Sequence, residues 1–227
     1  MAQTSLASRA PEGASAPTLG ARGEATRARI LEAAASLFLE HGFEATSVNA
    51  IARAAQVSVP ALYWHFESKT EICFTFLEKA VVEFADEVLE EDDSGAPDER
   101  LRRFVRNYVR AQLRDRESST VYEKLYTFGQ LSTVLDDSHR ERLQIPERRV
   151  NQRLRKILRD GKADGVFAVA DVKLAAFAIS SACEYAFQWY RPEGALSVDQ
   201  VAKGYAEMME SLARGVRVKR SKRRSSD

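Results

Sequence analysis

The stretch TSVNAIARAAQVSVPALYWHF, residues 46–66, decides the fold. It holds two short segments with apolar residues at helical spacing, separated by Gln56 and Val57. Thr46 and Ser47 offer N-caps for the first segment, which runs to about Ala55. Val48, Ile51, Ala52 and Ala55 form its inner face. Ser58 caps the second segment, and Pro60 falls in its first turn, where a missing N–H costs little. Small Ala52 and Ala55 let the two helices approach closely, and Val57 fills the corner. Leu62 and Phe66 point inward at i and i+4, leaving Val59, Pro60, Ala61, Tyr63, Trp64 and His65 on or near the outward side. Two short helices joined by a tight turn and packed on an earlier helix are the helix-turn-helix plan, whose second helix enters a DNA major groove.

Working outward, Ile30, Ala34, Leu37 and Phe38 mark an amphipathic helix over Glu24 to His41, ended by Gly42. Ser68 and Glu71 fit a capping box that opens a long helix to about Glu91. Asp92 to Pro97 reads as an acidic linker. Helices follow at about 98–115, 119–134, 146–163, 171–190 and 198–213. Pro146 suits a helix start, Gly161 and Gly165 bracket a helix end, and Asp171 and Ser197 are caps. Strand alternation and hairpin signals are missing from the sequence. The expected fold is all-α, with about nine helices: an N-terminal three-helix helix-turn-helix domain joined to a C-terminal helical bundle. The expected divisions are a disordered arm over 1–23, the helix-turn-helix domain over 24–84, the helical bundle over 85–213, and a basic flexible tail over 214–227.

Composition narrows the function. Among 227 residues, 34 Lys and Arg face 33 Asp and Glu, a net charge of +1 that excludes a polycation and an acidic solvating chain. Two cysteines, Cys73 and Cys183, lie far apart among apolar residues and read as buried free thiols, with no zinc spacing. His41, His65 and His139 have no triad partners at recognisable spacing, and GxSxG, P-loop and dinucleotide fingerprints are missing. No enzyme, no metal and no cofactor is therefore expected. No apolar run approaches a membrane span, and the N-terminus lacks the apolar core of a secretory signal, so a cytoplasmic protein is expected.

A longer pattern surrounds the opening stretch: Thr26, Arg27, Ile30, Leu31, Ala34, Leu37, Phe38, Gly42, Phe43, Thr46, Ser47, Val48, Ile51, Ala52, Ala55, Val57, Ser58, Leu62 to Phe66, Ser68 and Lys69. In order and spacing, residues 26–84 resemble the DNA-binding domain of the TetR family of bacterial transcriptional regulators. Gln56 departs from that pattern, which usually has Gly in the turn. Pro60 departs too, from the usual Gly or Lys. The resemblance implies that Thr46, Ser47, Ser58, Tyr63, His65 and Lys69 reach DNA phosphates. It implies that Val59, Pro60, Ala61 and Trp64 face bases. Hydroxyls, helix N-termini and a Lys suit phosphate, and small apolar side chains suit thymine methyls. Six basic and six acidic residues cancel over residues 1–70, so a shallow salt dependence is expected for this unit alone.

The same resemblance implies that residues 85–213 are a ligand-binding and dimerisation domain, in a regulator that binds double-stranded operator DNA and a small-molecule effector. Small and apolar stripes on the helices at about 171–190 and 198–213 suit an antiparallel pair that packs on its symmetry mate in a homodimer. The segment WYRPEGALS, residues 189–197, and the stretch from Glu147 to Phe167 are similar to a branch of such regulators that responds to acyl-CoA thioesters. An acyl-CoA effector needs an apolar channel and basic groups for its phosphates. Phe104, Tyr108, Tyr122, Leu125, Tyr126, Phe128, Leu131 and Phe187 are candidates for the first, and Arg148, Arg149 and Arg153 for the second. Two alternatives stay open at this point. One is an efflux-pump regulator responding to drug-like ligands. The other is a helical lipid or acyl-carrier protein without a DNA role, which requires Tyr63 to His65 to be buried.

Overall fold

The computed structural model describes residues 19–90, 93–114, 120 and 135–215. The described residues form nine helices and no strand. In chain order these are α1 (Leu19–His41), α2 (Val48–Ala54), α3 (Val59–His65), α4 (Lys69–Leu89), α5 (Pro97–Arg114), α6 (Asp137–Ala163), α7 (Val172–Glu184), α8 (Ala186–Trp189) and α9 (Val198–Arg214). The helix expected over 119–134, most of the N-terminal arm, and the tail beyond Gly215 lie outside the described residues, as do Tyr122, Leu125, Tyr126, Phe128 and Leu131.

Local chemistry sets the first four helices. Ser47, Ser58 and Ser68 each turn a hydroxyl onto the N–H of the third residue beyond, at 3.1, 3.2 and 3.0 Å. Each such cap contributes about 1 kcal/mol. The Ser68 box is only half formed. Ser68 accepts from Glu71 N–H, but the Glu71 carboxylate takes the N–H of Glu67 rather than that of Ser68. Gly42 ends α1 at φ 81°, in the left-handed region that suits glycine.

After α2, Gln56 adopts φ 55°. Its N–H donates to Arg53 O at 3.1 Å, and Val57 N–H donates to Ala52 O at 2.9 Å, the paired bonds of a Schellman end. The left-handed conformation costs a non-glycine residue about 1–2 kcal/mol, against about 0.5–1 kcal/mol for the extra chain entropy of glycine. Gln56→Gly is therefore expected to raise stability by about 0.5–1 kcal/mol, read as a higher urea midpoint. A lower midpoint would show that the turn carries no strain.

Burial separates two cores, and α4 runs from one to the other. Ile72, Phe74, Leu77 and Val81 of α4 pack with Ile30, Phe38, Ile51, Leu62 and Phe66 in the N-terminal unit. Ala85 and Val88 pack with Leu101, Phe104, Leu154, Ile179 and Val201 in the bundle. Each core holds one buried cysteine, Cys73 in the first and Cys183 in the second, and burial pushes both thiols up to about 12.

Several elements differ from the sequence-based expectation. α1 starts at Leu19, so residues 19–23 are helical rather than part of an arm. The helix expected to start at Pro146 starts at Asp137, with Asp136 as its cap, and Pro146 lies inside it. Pro146 is buried beside Leu143 and Val150, whose packing outweighs the one hydrogen bond a proline cannot donate. The other end of that helix, at Ala163, does lie between Gly161 and Gly165 as expected; a Cβ on Gly161 would stand 2.1 Å from the Phe167 ring, and Gly165 adopts φ 70°. The span 171–190 is broken at Tyr185 into α7 and α8. α9 runs antiparallel to α5, tied by Arg110–Asp199 at 2.8 Å at one end and Arg214–Asp98 at 2.6 Å at the other.

Candidate nucleic-acid interface

α3 has seven residues and two contrasting faces. Leu62 is fully buried and Phe66, its C-cap, nearly so. On the opposite face Tyr63 is 51% and Trp64 81% exposed. Trp64 and His65 meet edge to face, with ring centroids 5.0 Å apart. Pro60 is exposed, and Val59, Ala61 and His65 are half-buried. The helix thus presents a continuous surface of small apolar and aromatic groups anchored from behind by Leu62.

The polar candidates divide. Ser47 and Ser58 are exposed and use their oxygens as caps, which leaves each O–H proton available as a donor. Thr46 was expected at the interface but is 2% exposed, and its hydroxyl donates within the protein, to Gly42 O at 2.7 Å and Leu37 O at 3.2 Å. It ties the α1–α2 loop shut and has no path to a phosphate. Lys69 is also drawn inward. Its ammonium donates to Phe43 O at 2.7 Å and Glu44 O at 3.4 Å, and lies 4.2 Å from the Phe43 ring centre. At most one of its three N–H donors is left for an outside partner. Arg27, part of the sequence pattern but given no role there, packs over the Phe66 ring at 4.7 Å and braces the back of α3.

The effector candidates also divide. Phe104, Tyr108 and Phe187 share the bundle core, with Phe104 and Tyr108 ring centroids 6.0 Å apart. Burial pushes the Tyr108 hydroxyl well up, and nearby Glu184 adds to this. Tyr126 and Phe128 lie outside the described residues. The three arginines do not join this core. Arg148 donates to Gln144, Arg149 pairs with Asp86 at 3.2 Å, and Arg153 lies 3.9 Å from Asp93. Arg149 and Arg153 face acids on the α4 side, so a phosphate at those two competes with carboxylates already in place. Among the described residues no group of His, Cys, Asp and Glu is placed to hold a metal ion, and no helix is long and apolar enough to cross a membrane.

α7 and α9 carry exposed apolar side chains on their outer faces. Leu174 is 68% and Phe177 70% exposed, and Met208 and Leu212 are about half exposed. The opposite faces of the same helices bury Ala176, Ile179, Cys183, Val201, Ala206 and Met209.

Comparisons with known proteins fit this geometry. Residues 30–74 match the family model for bacterial regulatory proteins of the tetR family, and residues 94–213 match that for the Tetracyclin repressor-like C-terminal domain. The HTH-type transcriptional repressor KstR2 of Rhodococcus jostii is 31% identical over 191 residues, 81% of this chain and 88% of that one. Among solved structures, the TetR family regulator PfmR from Thermus thermophilus is 34% identical with a TM-score of 0.70, covering 83% of this chain and 98% of that chain. AibR, solved in complex with isovaleryl coenzyme A and operator DNA, is 25% identical with a TM-score of 0.69, covering 81% and 97%.

Proposed function

The chain belongs to the tetR family of bacterial regulatory proteins, and from that premise we propose how it works as a ligand-responsive transcriptional repressor. The family is one of DNA-binding regulators rather than of enzymes. Two copies pair through α7 and α9 and place two reading heads, residues 24–84 of each, on successive turns of operator DNA. Half-sites about 34–36 Å apart follow from that two-fold arrangement. Such a protein works in the cytoplasm, where its operator is.

The observation that carries this reading is the exposure of Trp64. An indole left in water on a helix whose other face is fully packed is a surface awaiting a partner. Trp64, Val59, Pro60 and Ala61 meet bases. Ser47, Ser58, Tyr63 and His65 donate to phosphates, with Lys69 contributing its remaining N–H. Neither α3 nor its surroundings buries Tyr63 and Trp64, which counts against a lipid carrier without a DNA role.

Footprinting on the region upstream of the protein's own gene tests the reading, with a pseudo-palindromic protected site as the expected result. Trp64→Ala is expected to lose about 1 kcal/mol per half-site, about 30-fold for the dimer. Fluorescence anisotropy on the footprinted site reads this directly. Wild-type affinity in that variant would remove Trp64 from the interface.

The effector we propose is an acyl-CoA thioester. The likeness to AibR, solved with isovaleryl coenzyme A, supports this class over a drug-like ligand. The likeness to the probable acrEF/envCD operon repressor of Escherichia coli spans only 47 residues, 21% of the chain. Phe104, Tyr108 and Phe187 offer the acyl group an apolar lining. Arg148, Arg149 and Arg153 serve CoA phosphates only by giving up Gln144, Asp86 and Asp93. Titrating the operator complex with an acyl-CoA panel tests the class. Release by at least one member is expected, and by linkage operator DNA must weaken that member's binding by the same factor. Retention of DNA against every member would reject the class and leave the DNA reading intact.

A further inference from the structure

α4 is not the only element that reaches the reading head. Leu135, just ahead of α6, and Leu143 within it are buried in the head's own core, with Phe74, Leu77 and Val81. His139 meets Phe74 edge-on, with ring centroids 4.2 Å apart, and the Arg142 guanidinium lies 4.7 Å from the same ring centre. Arg142 also grips Glu78 with two parallel bonds of 2.7 Å.

From that foot, α6 runs beside α4 in the same direction. Glu78 pairs with Arg142, Asp86 with Arg149 and Asp93 with Lys156, at sequence separations of 64, 63 and 63. The charges are segregated, acids on the α4 side and bases on α6. The rungs differ in burial. Arg142 and Arg149 are about half exposed, so their pairs are individually weak. Beyond the last rung, Arg100 is 7% exposed and closes the far end by bonding Asp93 and Asp160 together. The two helices are thus tied at both ends, by the Arg100 cluster away from the head and by the buried Leu135 and Leu143 with the Arg142 pair near it. A cleft of about 720 Å³ lies beside the foot, lined by Arg27, Phe74, Glu78, His139 and Arg142 among others.

The lever arithmetic makes that joint consequential. A helix of 21 residues, the length of α4, is about 30 Å long. Tilting it by about 6° moves its end by about 3 Å, close to the rise of one base pair. A single helix has little resistance to such a tilt, whereas two helices tied at both ends resist it.

We propose that α6 is a second strut which, with α4, fixes the angle of the reading head, and that Arg142 is the positioning residue at its foot. The property it governs is the half-site spacing that the dimer accepts. This rests on the DNA-binding reading above, and the test separates the two. An operator is first selected from a random DNA library with the full-length wild type. Affinities are then measured for that operator and for versions with one base pair added or removed between half-sites.

Glu78→Arg and Arg142→Glu, each checked for folding by thermal unfolding, are expected to cut the preference for native spacing at least fivefold. The double swap, Glu78→Arg with Arg142→Glu, restores it to within twofold. If a first-rung reversal does not fold, Asp86→Arg and Arg149→Asp on the more exposed second rung give the same readout. Unchanged spacing preference in the single reversals would overturn the strut. So would an equal loss of affinity at every spacing. A wild type that selects no DNA would overturn the DNA-binding reading instead.

Discussion

Phe177→Glu is expected to convert the dimer to monomers and to lower operator affinity by at least about 100-fold. Phe177 and Leu174 stand about two-thirds exposed on α7, and Met208 and Leu212 are about half exposed on α9. The opposite faces of both helices are packed, so these side chains contribute nothing to the fold of one chain. At a two-fold interface every substitution occurs twice. Losing one aromatic anchor costs about 2 kcal/mol or more, hence about 4 kcal/mol per dimer and about 1,000-fold in its dissociation constant. A carboxylate facing its symmetry mate adds repulsion. Sedimentation equilibrium reads the assembly and anisotropy the affinity, with Phe177→Leu as the mild control. A Phe177→Glu protein that stays dimeric would place the interface elsewhere.

Arg100→Ala is expected to destabilise the protein by about 3 kcal/mol at pH 7, because it strips a buried cation from two carboxylates. For a chain of this size that is a fall in melting temperature of roughly 6–12 °C. The Arg100 guanidinium bonds both oxygens of Asp93 at 2.9 Å and Asp160 at 2.8 Å. Burial raises the Asp93 carboxyl, but the hydrogen bonds from Arg100 and Lys156 outweigh it and hold the group below its ordinary value. Arg100 is likewise the chief cause of the lowered Asp160 carboxyl. A carboxyl depressed in the folded state contributes stability above its unfolded value, near 4, and loses that contribution as pH falls through the lower folded value. Wild type therefore loses stability below about pH 4, and the gap between it and Arg100→Ala narrows there. Urea unfolding at pH 7 and pH 3 measures both. An equal gap at the two pH values would show that the ion cluster does not set it.

The head was legible because its signals are local. Ser47, Ser58 and Ser68 cap within three residues, Gly42 and Gln56 turn within one, and Leu62 and Phe66 follow a single helical period. The bundle yielded less. Pro146 reads locally as a start, yet Leu143 and Val150 on either side of it are buried in one continuous helix. The basic residues of α6, Arg149 and Lys156 among them, look like a free face until their partners, some 63 residues earlier, are seen alongside. Thr46 shows the reverse error. A threonine beside a helix start invites an outward role, but its methyl and hydroxyl fit the loop interior, where Gly42 and Leu37 offer carbonyls. Periodicity reports which face is apolar and is silent on which distant residue faces it.

The two cysteines give the molecule an internal pair of clocks. Both thiols are fully buried, which excludes a reagent and pushes each up to about 12, so neither Cys73 nor Cys183 reacts with an alkylating reagent while its surroundings stay closed. One sits in the core that the head shares with α6, the other in the bundle core. The labelling rate of each then counts how often its own core opens, and the ratio of the two rates says whether the cores open together or apart. A regulator whose two ends must communicate thus carries, in its own two thiols, a measure of how tightly they are coupled.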